Sequence, residues 1–276
     1  MIEPPQARSR VRVLIMGILN VTPDSFSDGG VYLDPEEAAA HAERLAADGA
    51  DIIDVGAEST RPGALAVPLD EEWGRLEPLL RQLAKAQLPI PLSVDTRKPE
   101  IMLRAADLGV AYINDVAGGA PIKILERLAG YSGLQYIAMH MNESPPTMQQ
   151  DPLRGAAAVR AVDRFFAKTW ATLGDAGFAP DRMWLDPGIG FGKGDSGNMQ
   201  LLATLPRWAQ TYKLCVGVSR KSFIGRALAI ASPSDRDGPS KMLELGLAIN
   251  GVRMIRTHAV KPLRRLVDLL QEDADA

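Results

Sequence analysis

Apolar and polar positions alternate along this chain with a regular beat. Short runs rich in Val, Ile and Leu each close on a polar residue. They predict strands at 13–19, 52–55, 91–94, 111–113, 135–139, 183–185, 214–218 and 253–255. Longer stretches between them carry apolar residues at three- and four-residue spacing. Ala38, Ala39, Ala42, Leu45 and Ala46 form one such face, and Asp34, Pro35 and Glu37 mark its start as a cap, a first-turn proline and a capping box. The same spacing recurs in Trp73, Leu76, Leu79, Leu80 and Leu83, in Val159, Val162, Phe165, Phe166, Trp170 and Leu173, and in Leu263, Leu266, Val267 and Leu270. Eight strand-then-helix units call for a parallel sheet covered by helices. Eight units in about 250 residues match a closed (β/α)8 TIM barrel. We therefore expect one domain over residues 1–276, with 1–10 and 272–276 frayed. A doubly wound open sheet is the alternative.

What ends the strands points to a site. In order, the runs close on Asn20, Asp54, Asp95, Asn114 with Asp115, His140 and Asp186. The seventh leads into Ser219 and Lys221, and the eighth into Arg256 and His258. In a closed barrel these ends converge on one face, where barrel active sites are built. Asp54 and Asp115 also read as helix caps, with even odds for each. The whole set reads as a polar ligand site, because burying so many unpartnered groups costs several kcal/mol. Asp95, Asn114 and Asp186 suit a flat heterocycle with N–H donors and a carbonyl. Closure sets strand 8 beside strand 1, bringing Arg256 and His258 near Asn20, with Lys221 on the other side. The loops after strands 7 and 8 are the usual phosphate position, and Arg suits phosphate oxygens. A polyphosphate there often carries Mg²⁺, to which Asn20 can offer one oxygen.

Composition narrows the classes. The net charge of −3 leaves no electrostatic footprint for nucleic acid or an anionic membrane. Cys215 is the single cysteine, so no internal disulfide forms, which favours a reducing compartment. Arg8, Arg10 and Arg12 before an apolar run superficially resemble a secretion signal. Arg12 interrupts the run and a Pro-Asp loop follows it, so a cytoplasmic protein is expected. Several motifs fail. "DPGIGFGKG" (186–194) has Gly194 where a P-loop needs Ser or Thr. "GVSRK" lacks the closing glycine of a nucleophile elbow. With His41, His140 and His258 as the only histidines, no spacing fits zinc.

Eight segments together resemble the bacterial dihydropteroate synthase family: "GILNVTPDSFSDGG", "DIIDVGAESTRPGA", "LSVDTRKPE", "INDVAGG", "MHM" with "PPTMQ", "LDPGIGFGK", "VGVSRKSFIG" and "RTHAV", running from Gly17 to Val260. The resemblance implies a (β/α)8 barrel that uses Mg²⁺, commonly a homodimer. It implies joining p-aminobenzoate to 6-hydroxymethyl-7,8-dihydropterin diphosphate, with release of pyrophosphate. By position, Asp95, Asn114, Asp186 and Lys221 would hold the pterin, with Met139 packed against it. Asn20, Arg256 and His258 would hold the diphosphate and metal. Thr60, Arg61, Pro62, Phe191, Ser219 and Phe26 would border the p-aminobenzoate pocket. Asp95, Arg61, Lys221, Arg256 and His258 would carry the chemistry, with Asp95 ionised beside a pterin cation. The loop from Val21 to Gly30 would act as a lid hinged at Gly29 and Gly30. The chain departs from the family pattern at Ala57, in "MNES" after His140, at Gly197 and at Ala259. The alternatives are a pterin-dependent methyltransferase domain and a non-catalytic pterin-binding paralogue.

Overall fold

The computed structural model describes residues 12–22, 35–60 and 63–272. Its strands are β1 (Leu14–Asn20), β2 (Ile52–Gly56), β3 (Leu92–Thr96), β4 (Tyr112–Asp115), β5 (Gln135–Met139), β6 (Met183–Asp186), β7 (Cys215–Gly217) and β8 (Met254–Thr257). All pairings are parallel, in the order β6-β5-β4-β3-β2-β1-β8-β7. The remaining seam is joined by a parallel bridge between Leu185 and Leu214 and by Leu185 N–H donating to Lys213 O at 3.0 Å. The result is the expected (β/α)8 barrel, and the open-sheet alternative falls.

Around it lie nine α-helices among the described residues: α1 (Pro35–Ala47), α2 (Leu69–Lys85), α3 (Pro99–Asp107), α4 (Ile122–Ala129), α5 (Gly155–Asp175), α6 (Asp195–Trp208), α7 (Ser222–Leu228), α8 (Asp237–Ile249) and α9 (Val260–Glu272). Two helices, α7 and α8, fill the β7–β8 connection where a single unit was expected. The apolar faces read from spacing pack onto the barrel: Leu76, Leu79, Leu80 and Leu83 of α2 and Val162, Phe166 and Leu173 of α5 are buried in the outer core. None of the described helices is long and apolar enough to cross a membrane.

Strand side chains alternate between two environments, as a pleat demands. Ile53, Val55, Val94, Ile113, Ala138, Leu185, Val216 and Ile255 join the layer under the helices. Met16, Ile52, Tyr112, Ile137, Trp184, Cys215 and Met254 form a separate apolar floor inside the barrel. The floor's two polar tips are satisfied by one residue, since Gln135 donates to Tyr112 Oη at 2.9 Å and accepts from Trp184 Nε1 at 2.6 Å. Strands β1, β3, β4, β6 and β8 run one or two residues past their expected ends, because Asn20, Asp95, Asn114, Asp186 and Arg256 continue the ladder. A polar side chain facing a ligand mouth does not break a strand; only its contrast with the preceding apolar run suggested an end.

Candidate active site

Two residues beyond four of the seven floor positions, the same inward face becomes polar, and beyond Ile137 it stays apolar at Met139. Ile52 is followed by Asp54, Tyr112 by Asn114, Ile137 by Met139, Trp184 by Asp186 and Met254 by Arg256. Asp95 faces inward because Val94 before it faces the helices. This layer is knit around Arg256. Its Nε donates to Asp54 Oδ2 at 2.5 Å and its Nη2 to Asp95 Oδ2 at 2.7 Å. Asn114 Nδ2 donates to the same Asp54 oxygen at 3.0 Å. On the opposite wall Asp186 Oδ1 accepts from Gly188 N–H at 2.6 Å. Lys221 donates to Ile189 O, and its Nζ stands 4.7 Å from the Phe191 ring centroid. Met139 is paired in register with Asp186 and is 3% exposed, an apolar wall between the polar groups.

The charges in this layer are displaced from their ordinary values. Burial, reinforced by Asp54, Glu72 and Glu58, pushes the Asp95 carboxyl up to about 7 against the pull of Arg256. Asp95 therefore divides between charged and neutral forms near neutral pH in the unliganded protein, whereas the family resemblance implied an ionised group. Burial raises Asp186, with Lys221 opposing. Burial lowers Lys221 to about 8, with Asp186 opposing. For Arg256, burial works against the charge, but Asp54 and Asp95 outweigh it and hold the guanidinium above its usual range. His140, pulled down to about 3 by burial and by Lys193, is neutral and stands edge-on to Phe165.

The seam of the barrel brings other expected residues together. β8 pairs with both β1 and β7. Ser219 Oγ accepts from His258 N–H at 3.2 Å and lies 3.0 Å from His258 Nδ1. Asn20 ends β1 opposite Gly56, where an added Cβ would come within 3.6 Å of its Oδ1. Thr60 is half-buried where the loop after β2 begins. Phe26, Arg61 and Pro62, and with them residues 23–30 of the proposed lid, its hinges and the Asp34 cap, lie outside the described residues.

The even odds on Asp54 and Asp115 resolve in opposite directions. Asp115 faces away from the mouth, accepting from Tyr136 Oη at 2.5 Å and from the N–H groups of Ala117 and Ala120. It is structural. Asp54 is fully buried in the polar layer, a strand-end residue to which no ligand role had been assigned. Its signal was its position two residues past Ile52, but no sequence rule reveals a partner at Arg256. Lys193 was also missed: fully buried, it donates to His140 O at 2.6 Å.

Loop architecture explains why "DPGIGFGKG" is glycine-rich without cradling a phosphate in the P-loop manner. Gly188, Gly190 and Gly192 have φ of 65°, 86° and 66°. A Cβ at Gly188 would sit 2.0 Å from His140 O, and one at Gly192 2.3 Å from Asn142 O. The loop after β6 crosses the loop after β5 too closely for any side chain. Asn198 fixes it from α6, accepting from Gly190 N–H at 2.7 Å. Gly197 has the same cause, since a Cβ there would meet Leu153 O at 2.4 Å.

Residues 16–258 match the family model described as pterin binding enzyme. Dihydropteroate synthase from Escherichia coli (strain K12) is 42% identical over 248 residues, covering 90% of this chain and 86% of that protein. Among solved structures, Xanthomonas albilineans dihydropteroate synthase with 4-aminobenzoic acid superposes with a TM-score of 0.87 at 39% identity, covering 96% of this chain and 94% of that one. The same enzyme in complex with 7,8-dihydropteroate gives 0.84 at 37% identity, covering 96% and 95%. The chain belongs to the dihydropteroate synthase family of pterin binding enzymes.

Proposed function

We propose that this chain condenses p-aminobenzoate with 6-hydroxymethyl-7,8-dihydropterin diphosphate to form 7,8-dihydropteroate and pyrophosphate. The observation that carries the reading is the inward layer of Asp95, Asn114, Asp186, Lys221 and Arg256 above an apolar floor. That layer is rich in acceptors, which suits the N–H donors of a pterin ring, and Met139 offers the ring an apolar surface.

The chemistry follows from the substrate. The C–O bond to the diphosphate breaks and its electron pair leaves with the diphosphate, so the exocyclic CH₂ and the electron-rich ring share a cation. The amine lone pair of p-aminobenzoate then forms the C–N bond, and the amine proton passes to solvent or the departing diphosphate. The protein's work is electrostatic. Asp95, when ionised, faces the positive charge. Arg256 and Lys221 lie toward the β7–β8 seam with His258 and supply positive charge for the leaving group. Burial and Lys193 make His140 a weak base, and the reacting amine needs no strong one.

The Mg²⁺ expected at Asn20 fits a restricted role. Among the described residues no group of three His, Cys, Asp or Glu side chains is placed to hold a metal. A single amide oxygen suits an ion that arrives with the diphosphate and keeps most of its water. Such an ion would neutralise charge on the departing diphosphate. A cytoplasmic homodimer belongs to the same proposal. Met242 and Ile249 of α8, 78% and 66% exposed, favour a second copy there, and sedimentation velocity would show a dimer if so.

The deciding measurement is formation of dihydropteroate from the two substrates with purified protein and Mg²⁺. Turnover is expected. Tight pterin binding without turnover would replace this reading with the non-catalytic paralogue.

A further inference from the structure

We propose that Asp54 is a positioning residue that sets the hydrogen-bonding sense of the site, by forcing Asn114 to present its carbonyl oxygen to the ligand. The argument rests on the reading of this layer as a pterin site. Asp54 is 0% exposed. One oxygen, Oδ2, takes both Arg256 Nε at 2.5 Å and Asn114 Nδ2 at 3.0 Å, while Oδ1 is buried with no partner.

A carboxylate offers acceptors only, so the group turned toward it must be a donor. An asparagine side chain has two nearly isosteric ends, and its neighbours decide which way it faces. With Asp54 behind it, the amide NH₂ of Asn114 is consumed on the barrel side and Oδ1 is left for the mouth. No described residue donates to that oxygen. The mouth then offers Asn114 Oδ1 beside the carboxyls of Asp95 and Asp186, an array of acceptors suited to ring N–H and amino donors. A reversed amide would put NH₂ against those donors and be repelled. The same aspartate also holds Arg256 at its Nε, which leaves Nη2 for Asp95 and Nη1 uncommitted to any described residue. Asp54 thus acts on the ligand through two other residues and touches it through neither oxygen.

A simple buried ion pair is the competing account, and such a pair is weak grounds for a role beyond structure. A charge-swap cycle separates the two. Asn114→Asp sets two acids face to face and is expected to raise the dissociation constant for 6-hydroxymethyl-7,8-dihydropterin by at least about tenfold. Adding Asp54→Asn restores a donor opposite an acceptor and keeps an oxygen at position 114. The double variant is expected to bind within about threefold of wild type. A double variant as weak as Asn114→Asp, at a melting temperature equal to wild type, would overturn the proposal. A ligand-free readout stands beside it: solvent exchange of the Asn114 side-chain amide, seen by NMR. Protection relative to the Asn142 side chain is expected, and equal exchange would overturn the orientation. If wild type binds no pterin while that amide is protected, the functional reading falls and the positioning stands.

Discussion

The two sides of strands β2 to β4 treat buried charge in opposite ways. On the outer side, Glu58 accepts from Arg97 Nε and Nη2 and from Val67 N–H, each at 2.9 Å, with Lys98 at 3.2 Å. Glu72 takes Thr96 Oγ1 at 2.6 Å and Lys98. Two carboxylates meet two cations, and the Glu58 carboxyl lies below its usual range because those partners outweigh its burial. On the inner side, Asp54 and Asp95 share one guanidinium, and Asp95 is pushed up to about 7. Burial is the largest cause of the Asp95 shift, and one guanidinium shared with Asp54 does not offset it, whereas two cations and a backbone N–H outweigh the shallower burial of Glu58. Depth of burial and number of donors both separate the two sides, and the inner side is the one left short of donors.

The largest effect that would test this contrast is at Asp95. Asp95→Asn keeps the shape but removes the charge proposed to face the cation. We expect turnover to fall by about 10²–10³, the range for losing one well-placed electrostatic group, while the pterin dissociation constant changes only a few-fold. Equal losses in turnover and binding would show that Asp95 serves recognition alone.

A pair of lysines sets the two sides against each other directly. Lys221→Met is expected to lower kcat/KM by more than about tenfold, with the melting temperature close to wild type. Lys98→Met strips a partner from Glu72, which is 0% exposed, and is expected to cost about 3 kcal/mol of stability, with kcat/KM within about threefold. Denaturant titration and initial rates on both variants give the answer; a reversed pattern would erase the distinction between the faces.

Most of this architecture was legible in the sequence, for a physical reason. A parallel strand buried on both sides reads as an apolar run, and its last inward residue is the first to meet the mouth. Asp95, Asn114, Asp186 and Arg256 were therefore marked by a change of polarity. Asp54 showed the same change, but an aspartate at a strand end is also a good cap, and its partner Arg256 lies 202 positions away. Asp115 gave an identical signal and turned out to face the helices. What separates them is the parity of the strand register, which one residue of uncertainty in a strand boundary erases. The crossing of the loops after β5 and β6 was illegible too. Gly188 is required there because of His140 O, a contact between segments 48 residues apart by number that no local rule connects.

The shifted carboxyl adds a pH dependence. Near neutrality, kcat/KM is expected to rise about tenfold per pH unit below the Asp95 value of about 7 and then level. It should fall again above about 8 as Lys221 loses its proton. Stability moves the other way on the acid side. Native Asp95 holds its proton up to about 7, whereas the unfolded chain releases it near 3.8, so between those values the native state binds more protons and stability falls as pH rises. Asp95→Asn is expected to abolish both the rising limb and that slope. A limb that survives in the variant would belong to another group.

The smallest expected effect is the sharpest on register, because it compares neighbours in the chain. Asn114 faces the ligand layer; Asp115, the next residue, faces Tyr136 and the turn at Ala117 and Ala120. Asp115→Asn keeps an acceptor for some of these donors but weakens charge-assisted bonds to the rest, a loss of about 1–2 kcal/mol. Because burial raises the Asp115 carboxyl above its unfolded value, the native state holds that proton more tightly than the unfolded chain, so wild-type stability gains as the pH falls and the cost of the substitution should grow. Turnover and pterin affinity should stay within about twofold of wild type, since every partner of Asp115 lies outside the mouth. Asn114→Ala should do the reverse, losing pterin binding by about tenfold with a smaller change in unfolding. Two adjacent substitutions that split stability from binding in this way are the signature of a pleat with a ligand on one face; a shared effect on binding would mean that the turn after β4 also shapes the mouth.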